Sequence, residues 1–566
     1  MILKHKIFFC LFFLFISCFF GIIIFYPIYF SKEIIITYGI HPFDICSKNP
    51  LLWKYIKIIF IFTYIFSNII FSIFIYNKFL FNIFYKKNIK NKNCKKNINN
   101  NISNLNLLIG KDFNNTNIYI PENGLYQNFL ITGTIGSGKT SSAMYPFTNQ
   151  LIKYNSQNPT DKIGMLILDV KGNYYNQILK YVKLYNLEND LIIIGLNSNN
   201  YYNPLHKPNL KPLVLANRLK TILTLFSENN SESYWLDKAE QILSEAIKLC
   251  RLYNNNYVTF SELHKLITIP NYYKEKIQIL KKLFISSQLN SKQIYELNEC
   301  LNFFQKEFEN LDSRTKAILI SEITRITNTF ISDYDVFSTF SPPKEKLNFL
   351  GFEDVLKSGK IVVLNMNISK YNLLSKIIAT YLKLDFQTEI LNSLSEGTIK
   401  KTAFICDEYD KYCTKTDSDF FSLSRESKCI NIVSTQSYSS LKNTLKDDAS
   451  VKVITQNLIN KIWFRTDDIF TIEEAQKQLG KEEKEKFSRS ISENARETKY
   501  NYITNTLNSK DSNISESYNS YYQTDYIYDT NFFTRQLETF TALTFLSDGN
   551  KIYEPQRIKM LPYFKN

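Results

Sequence analysis

Hydrophobic and polar positions divide the chain sharply. Ile7–Phe30, "IFFCLFFLFISCFFGIIIFYPIYF", carries no charge. A hydrocarbon core of ~30 Å needs about 20 apolar residues of helix, so this run is long enough to span. It exceeds the h-region of a signal peptide, and no small-residue cleavage site follows, which predicts an uncleaved span. Ile58–Asn77, "IIFIFTYIFSNIIFSIFIYN", is a second uncharged run. Neither shows the polar face of a helix lying on a soluble core. Lys4 and Lys6 precede the first run, and Lys78, Lys86, Lys87, Lys90, Lys92, Lys95 and Lys96 follow the second without an acid among them. The positive-inside rule then predicts a cell-membrane protein with two spans and both termini cytoplasmic. Lys54 and Lys57, at the outer edge of the second span, would snorkel.

Beyond residue 104 the pattern changes to short apolar runs alternating with amphipathic stretches. "YQNFLIT", "GMLILD" (Gly164–Asp169), "LIIIG" (Leu191–Gly195), "KIVVLNM" (Lys360–Met366), "TAFIC", "CINIVS" (Cys429–Ser434) and "ALTFLS" (Ala542–Ser547) read as strands. "KTSSAMYPFTNQLIKY" and "LLSKIIATYLKLDFQTEIL" read as helices, with Pro146 a point of kinking in the former. Alternation of this kind predicts an α/β fold built on parallel strands with helical crossovers. From Trp235 to about Pro342 the apolar spacing is three and four, which predicts helices throughout. Residues 481–530 are polar, rich in Ser, Asn, Glu and Tyr, and read as a flexible insertion or an extended hairpin. The expected organisation is therefore a membrane anchor (1–80) and a basic linker (81–103), the latter suited to anionic lipid and to fixing topology. An α/β domain (104–235 and 343–566) follows, interrupted by an all-α domain (236–342).

The 566 residues carry a formal net charge of +15, with 68 Lys and Arg. That balance favours a polyanionic partner, discounted by an Ile/Asn/Lys-rich composition of the kind AT-rich coding produces. The nine cysteines form no C-x-x-C pair, and only Cys46 falls in the predicted external loop. Four scattered histidines give zinc little to bind. Metal chemistry is expected through a carboxylate and phosphate-bound Mg²⁺.

"GTIGSGKTSS" carries the chemistry. Gly133-x-x-x-x-Gly138-Lys139-Thr140 fits the Walker A pattern between a predicted strand and a predicted helix, the context that motif requires. Gly133, Gly136 and Gly138 let the backbone N–H groups of Thr134, Ile135, Ser137 and Ser141 and their neighbours close on phosphates at a helix N-terminus. Lys139 is placed for the β- and γ-phosphates and the Thr140 hydroxyl for Mg²⁺. "TAFICDEYD" supplies a buried strand ending in acids. Asp407 is expected to hold Mg²⁺ and Glu408 to orient or deprotonate the attacking water. Read alone, two acids opening a helix satisfy the helix dipole just as well. Together with the loop they predict an ATPase with ATP and Mg²⁺ as cofactors. Its core is expected to be RecA-like.

Several further stretches, in order, resemble the type IV coupling proteins, the membrane-anchored ATPases of conjugation and type IV secretion (the TraG/TraD-like group). They are "LILDVKGNYY" with Asp169, Lys171 and Gly172, "YYNPL" with Asn203, Pro204 and Leu205, "SYWLDKAEQILSEAI", "SRESKCINIVSTQSYSSL" with Arg425 and Gln436, and the closing "FFTRQLETFTALTFLSDGNKIYEPQRIKMLPYF". The resemblance implies a γ-phosphate sensor at Gln436 and a contact from Arg425 to a neighbouring subunit's nucleotide. On the residues alone, Gln436 reads equally as a cap and Arg425 as a surface arginine. It also implies a homo-hexamer, an all-α domain facing DNA and the relaxosome, and partners among single-stranded DNA, relaxase-type proteins and secretion-channel components. One departure stands out: where the family carries an acid after Lys-Gly, this chain has Asn173.

Three other readings stay open on sequence. A receptor ATPase recruiting protein effectors shares every motif. An FtsK-like double-stranded DNA pump is also membrane-anchored and basic, but the long Pro/Gln linker and DNA-reading winged helix are missing from this sequence. A structural nucleotide site without hydrolysis is opposed by Asp407-Glu408.

Overall fold

The computed structural model describes residues 105–566 except 197, 226–232, 286–289, 494–497, 502–505, 510–513 and 566, together with scattered positions between 51 and 69. The chain divides into two units, Met1–Ser103 and Asn104–Asn566. In the first, the described positions are helical and mostly exposed, Phe62 and Phe66 among them. The predicted span 7–30 lies outside the described residues, as does 70–77 of the second. Among the described residues no helix is long and apolar enough to cross a membrane.

The second unit is organised by an eleven-stranded sheet. In chain order its strands are β1 (Asn106–Lys111), β2 (Asn117–Pro121), β3 (Phe129–Thr132), β4 (Gly164–Leu168), β5 (Leu191–Ile194), β6 (Ile361–Leu364), β7 (Thr402–Cys406), β8 (Cys429–Thr435) and β9 (Asn460–Trp463). After a hairpin, β10 (Lys481–Glu493) to β13 (Ile514–Tyr526), come β14 (Thr541–Phe545) and β15 (Gln556–Lys559). The spatial order is β2-β1-β15-β14-β9-β3-β8-β7-β4-β6-β5. From β9 to β5 every pairing is parallel. The remaining strands pair antiparallel, β14 onto β9 included.

Parallel strands are covered on both faces and so read as near-continuous apolar runs. Each residue of β3, β4, β6, β7 and β8 is buried. Alternate side chains feed two cores. Ile131, Met165, Val363 and Ile405 face the helices Tyr145–Gln157 and Tyr174–Leu184. Leu130, Leu166, Phe404 and Val433 face Pro212–Thr224, Ile368–Ser395 and the helices after β8. Among the described residues between 233 and 340, the helices Ser233–Tyr253, Phe260–Thr268, Tyr272–Ile285, Ser291–Asn302 and Ser313–Ile331 pack into this second core.

Three expectations need correction. "ALTFLS" forms β14, which runs antiparallel to its neighbour β9 rather than parallel, so the sheet is mixed. β1, β2, β9 and β15 were not expected from the apolar pattern. The kink expected at Pro146 is replaced by an irregularity before it: Thr140–Met144 is a π-type turn, with the Tyr145 N–H on the Thr140 carbonyl, and Pro146 stands in the first turn of the α-helix that follows. The polar stretch after Leu479 pairs β10 with β13 over thirteen rungs, and β11 (Thr498–Asn501) pairs with β12 (Thr506–Ser509).

Candidate active site

β3, β8 and β7 are adjacent, and their carboxyl ends bring the predicted residues together. The loop Gly133–Lys139 leaves β3. Its Thr134 N–H donates to the Arg465 carbonyl at 2.9 Å, which ties the loop to the chain leaving β9. Gly138 has φ 102°, and a Cβ there would lie 2.6 Å from the Phe540 ring. Phe540 is itself anchored, its N–H 3.2 Å from the Ser137 carbonyl. Gly136, at φ 79°, has open space where a Cβ would stand. Successive amides in such a loop form a concave N–H nest for anionic oxygens, reinforced by the helix that follows. Ser142 closes that first turn, donating N–H and Oγ to the Gly138 carbonyl at 2.9 and 2.7 Å.

Lys139 is buried, and its ammonium donates to the carbonyls of Gly133 and of Thr134, the latter at 3.3 Å. Burial pushes its pKa below the ordinary lysine value, against the attraction of Asp407. Asp407 leaves the end of β7 with both carboxylate oxygens engaged: Thr140 Oγ1 donates to Oδ2 at 2.8 Å, and the Ser434 hydroxyl from β8 donates to Oδ1. Two hard oxygen donors, Thr140 just after the loop and Asp407 two strands away at the end of β7, are therefore within one hydrogen bond of each other, a donor set that suits Mg²⁺.

Glu408 departs from ordinary backbone geometry, with φ 53° and ψ 49°. Its carboxylate meets Lys171 Nζ at 2.8 Å. Lys171 stands on the loop after β4, where Asp169 accepts N–H bonds from Lys171 and Tyr174 at 3.0 Å each. Burial lifts the Asp169 pKa, opposed by those N–H groups. For Lys171, burial lowers the ammonium's pKa, but the bond to Glu408 outweighs it and the net shift is upward.

Behind Glu408 lies a network that the sequence reading did not single out. Lys383, in the helix Ile368–Ser395, and Asp417 are both fully buried and 2.6 Å apart. Lys383 also donates to the Tyr412 carbonyl at 2.7 Å and to Thr414 Oγ1 at 3.0 Å. Asp417 further accepts from the Tyr409 hydroxyl, from Gln387 Nε2 at 3.0 Å, and from the Thr414 N–H and hydroxyl, each at 3.0 Å. Five donors on one carboxylate fix the turn after Glu408. The sequence signal was weak: Lys383 is one of three lysines in that helix, with Lys370 and Lys376, and its full burial alone sets it apart. Ser434, a hydroxyl closing an apolar strand, was a similar signal.

Gln436 follows β8 directly. Since Thr132 pairs with Thr435, it is level with Gly133. Arg425 is not brought to this loop. It is exposed before the amino end of β8, opposite the phosphate loop, and donates to the Gly549 carbonyl at 3.2 Å. Asn173, in place of the expected acid, opens the helix Tyr174–Leu184.

A glycine nest at a helix N-terminus, its lysine and hydroxyl, and a strand-end Asp-Glu pair on the parallel part of the sheet make up a P-loop ATPase. The particular family is equally plain: residues 113–516 match the family model described as the type IV secretion-system coupling protein DNA-binding domain, and the chain belongs to that family. Among solved structures, the unbound monoclinic form of bacterial conjugative coupling protein TrwBdeltaN70 is similar with a TM-score of 0.52 at 13% identity, over 78% of this chain and 87% of that one. Plasmid coupling protein TrwB in complex with ADP and Mg²⁺ gives 0.51 at 13% identity, with the same coverage. TrwB with a non-hydrolysable ATP analogue gives 0.50 at 11%, over 82% and 96%. No curated protein sequence matches the chain.

Proposed function

We propose that this coupling protein is a membrane-anchored ATPase that drives delivery of DNA, single-stranded and carrying a relaxase-type protein, into a type IV secretion channel. The observation that carries the reading is the Thr140–Asp407 contact of 2.8 Å, which joins the phosphate loop to the acid-bearing strand end. In this reading the loop amides and Lys139 hold the ATP phosphates, and Gln436 stands beside them. Glu408 takes a proton from, or aligns, the attacking water. Thr140 and Asp407 would hold Mg²⁺, which when bound supplies neutralising charge at the phosphates. Subunits assemble as a homo-hexamer, with Arg425 free to face a neighbour's nucleotide because it is remote from its own. The runs 7–30 and 58–77 are the two spans, with both termini in the cytoplasm.

The family description names DNA binding, and the basic balance of the chain supports a polyanion. The test is ATP turnover by the full chain in detergent, with and without single-stranded DNA. Stimulation by DNA, lost in Lys139→Ala and Glu408→Gln, supports the DNA motor. Turnover indifferent to DNA supports a receptor for protein effectors instead.

A further inference from the structure

We propose that Lys171 is a positioning residue for hydrolysis, its ammonium fixing the carboxylate of Glu408 from the neighbouring strand end. The inference rests on the reading of Glu408 as the residue that handles the attacking water. Three observations carry it.

The first is reach. β4 and β7 are paired with Leu168 opposite Cys406, so Lys171 and Glu408 leave the same rung of the sheet by three and two residues. Lys171 Nζ lies 2.8 Å from Glu408 Oε1.

The second is the rigidity of the support. The Asp169 carboxylate takes the N–H groups of Lys171 and Tyr174, and the Ile368 N–H holds the Val170 carbonyl at 3.0 Å, pinning the loop to the chain leaving β6. Asp169 is thus occupied by backbone donors, and Asn173 is neutral, so this loop offers Lys171 no competing free side-chain acid. The lysine departs from a fixed point and meets Glu408.

The third is need. A non-glycine residue at φ 53° is strained and persists only where its surroundings impose it. The network around Asp417 fixes the turn after Glu408, but it makes no contact with the Glu408 carboxylate. Lys171 supplies that contact.

Exposure separates this role from a structural one. The Lys171 side chain is 56% exposed and that of Glu408 12%. An ion pair with so open a cation contributes little to folding, so its removal leaves the fold in place. Hydrolysis, by contrast, depends on holding the water-handling group to within a fraction of an ångström.

The experiment is steady-state ATP turnover by the full chain in detergent, comparing wild type, Lys171→Met, Lys171→Arg and Glu408→Gln, with thermal midpoints alongside. Lys171→Met is expected to lower kcat about 10- to 100-fold, with KM within about twofold and an unchanged thermal midpoint. Lys171→Arg, which keeps the cation, is expected to recover most of kcat. Wild-type kcat in Lys171→Met, a KM increase that accounts for the loss, or no recovery in Lys171→Arg would overturn the proposal. Wild-type turnover in Glu408→Gln would overturn the underlying reading of Glu408 instead. Loss in Glu408→Gln with none in Lys171→Met would overturn only the role of Lys171.

Discussion

Gly138 shows how narrowly a single residue is specified at this site. With φ 102° and the Phe540 ring 2.6 Å from where a Cβ would stand, Gly138→Ala must both strain the backbone and displace an anchored aromatic. Strain of about 1–3 kcal/mol predicts roughly 5- to 150-fold weaker ATP affinity, at about 1.4 kcal/mol per tenfold, measurable by fluorescent-nucleotide titration, while the sheet stays folded. Gly136→Ala meets no neighbour and suffers only the φ of 79°, so its loss should be smaller. Lys383 is specified differently. Its ammonium is paired with Asp417 inside the core, and Lys383→Met leaves Asp417 buried with its charge uncompensated. Breaking a buried pair costs roughly 3–5 kcal/mol. Chemical denaturation of the variant should show a loss of that size.

Among the elements, β9 carries the least expected residue. Lys461 is 5% exposed, between β3 and β14, on strand "NKIW". Among the described residues no carboxylate lies within ion-pair reach of it, and burial lowers its pKa to about 8. The folded state therefore releases this proton before the unfolded chain does. Between about pH 8 and 10.5 the unfolded state binds more protons, so stability should rise with pH through that window, while below it the full cost of the buried charge remains. Lys461→Met is expected to raise stability at pH 7 by up to about 3 kcal/mol, a gain that shrinks as pH rises from 8 to 10. Thermal melts across that range check it.

The same strand explains what was legible. β4, β6, β7 and β8 announce themselves because two buried faces demand continuous apolar runs. β9 begins with Asn460 and Lys461, and that polar start hides it. Asn460 is there because its side chain donates to the Gly124 carbonyl at 2.9 Å and accepts the Ser547 N–H at 2.8 Å. The direction of β14 was not legible either, since an apolar run carries no sign of whether its partner is parallel. The loop Gly133–Thr140 and Asp407-Glu408 were legible because phosphate chemistry fixes residue types and spacing. Ser434 and the pairing of Lys171 with Glu408 became meaningful only when the sheet order set β8 and β4 on either side of β7.

For the whole molecule, the family and the site together define a type IV secretion coupling ATPase. If DNA is held through phosphates, single-stranded DNA binding should weaken steeply with salt. Each neutralised phosphate contributes a log–log slope of about −0.7, and base sequence should matter little. Anisotropy titrations between 50 and 200 mM salt, a range set by the same principle, would show it.

The decisive measurement separates binding from chemistry at the Thr140–Asp407–Glu408 centre. ATP binding and single-turnover hydrolysis are followed on the full-length protein for wild type, Lys139→Ala and Glu408→Gln. The account predicts that Lys139→Ala loses both, whereas Glu408→Gln keeps ATP bound near wild-type affinity but does not cleave it. Cleavage at the wild-type rate by Glu408→Gln, or unimpaired ATP binding and cleavage by Lys139→Ala, would contradict it.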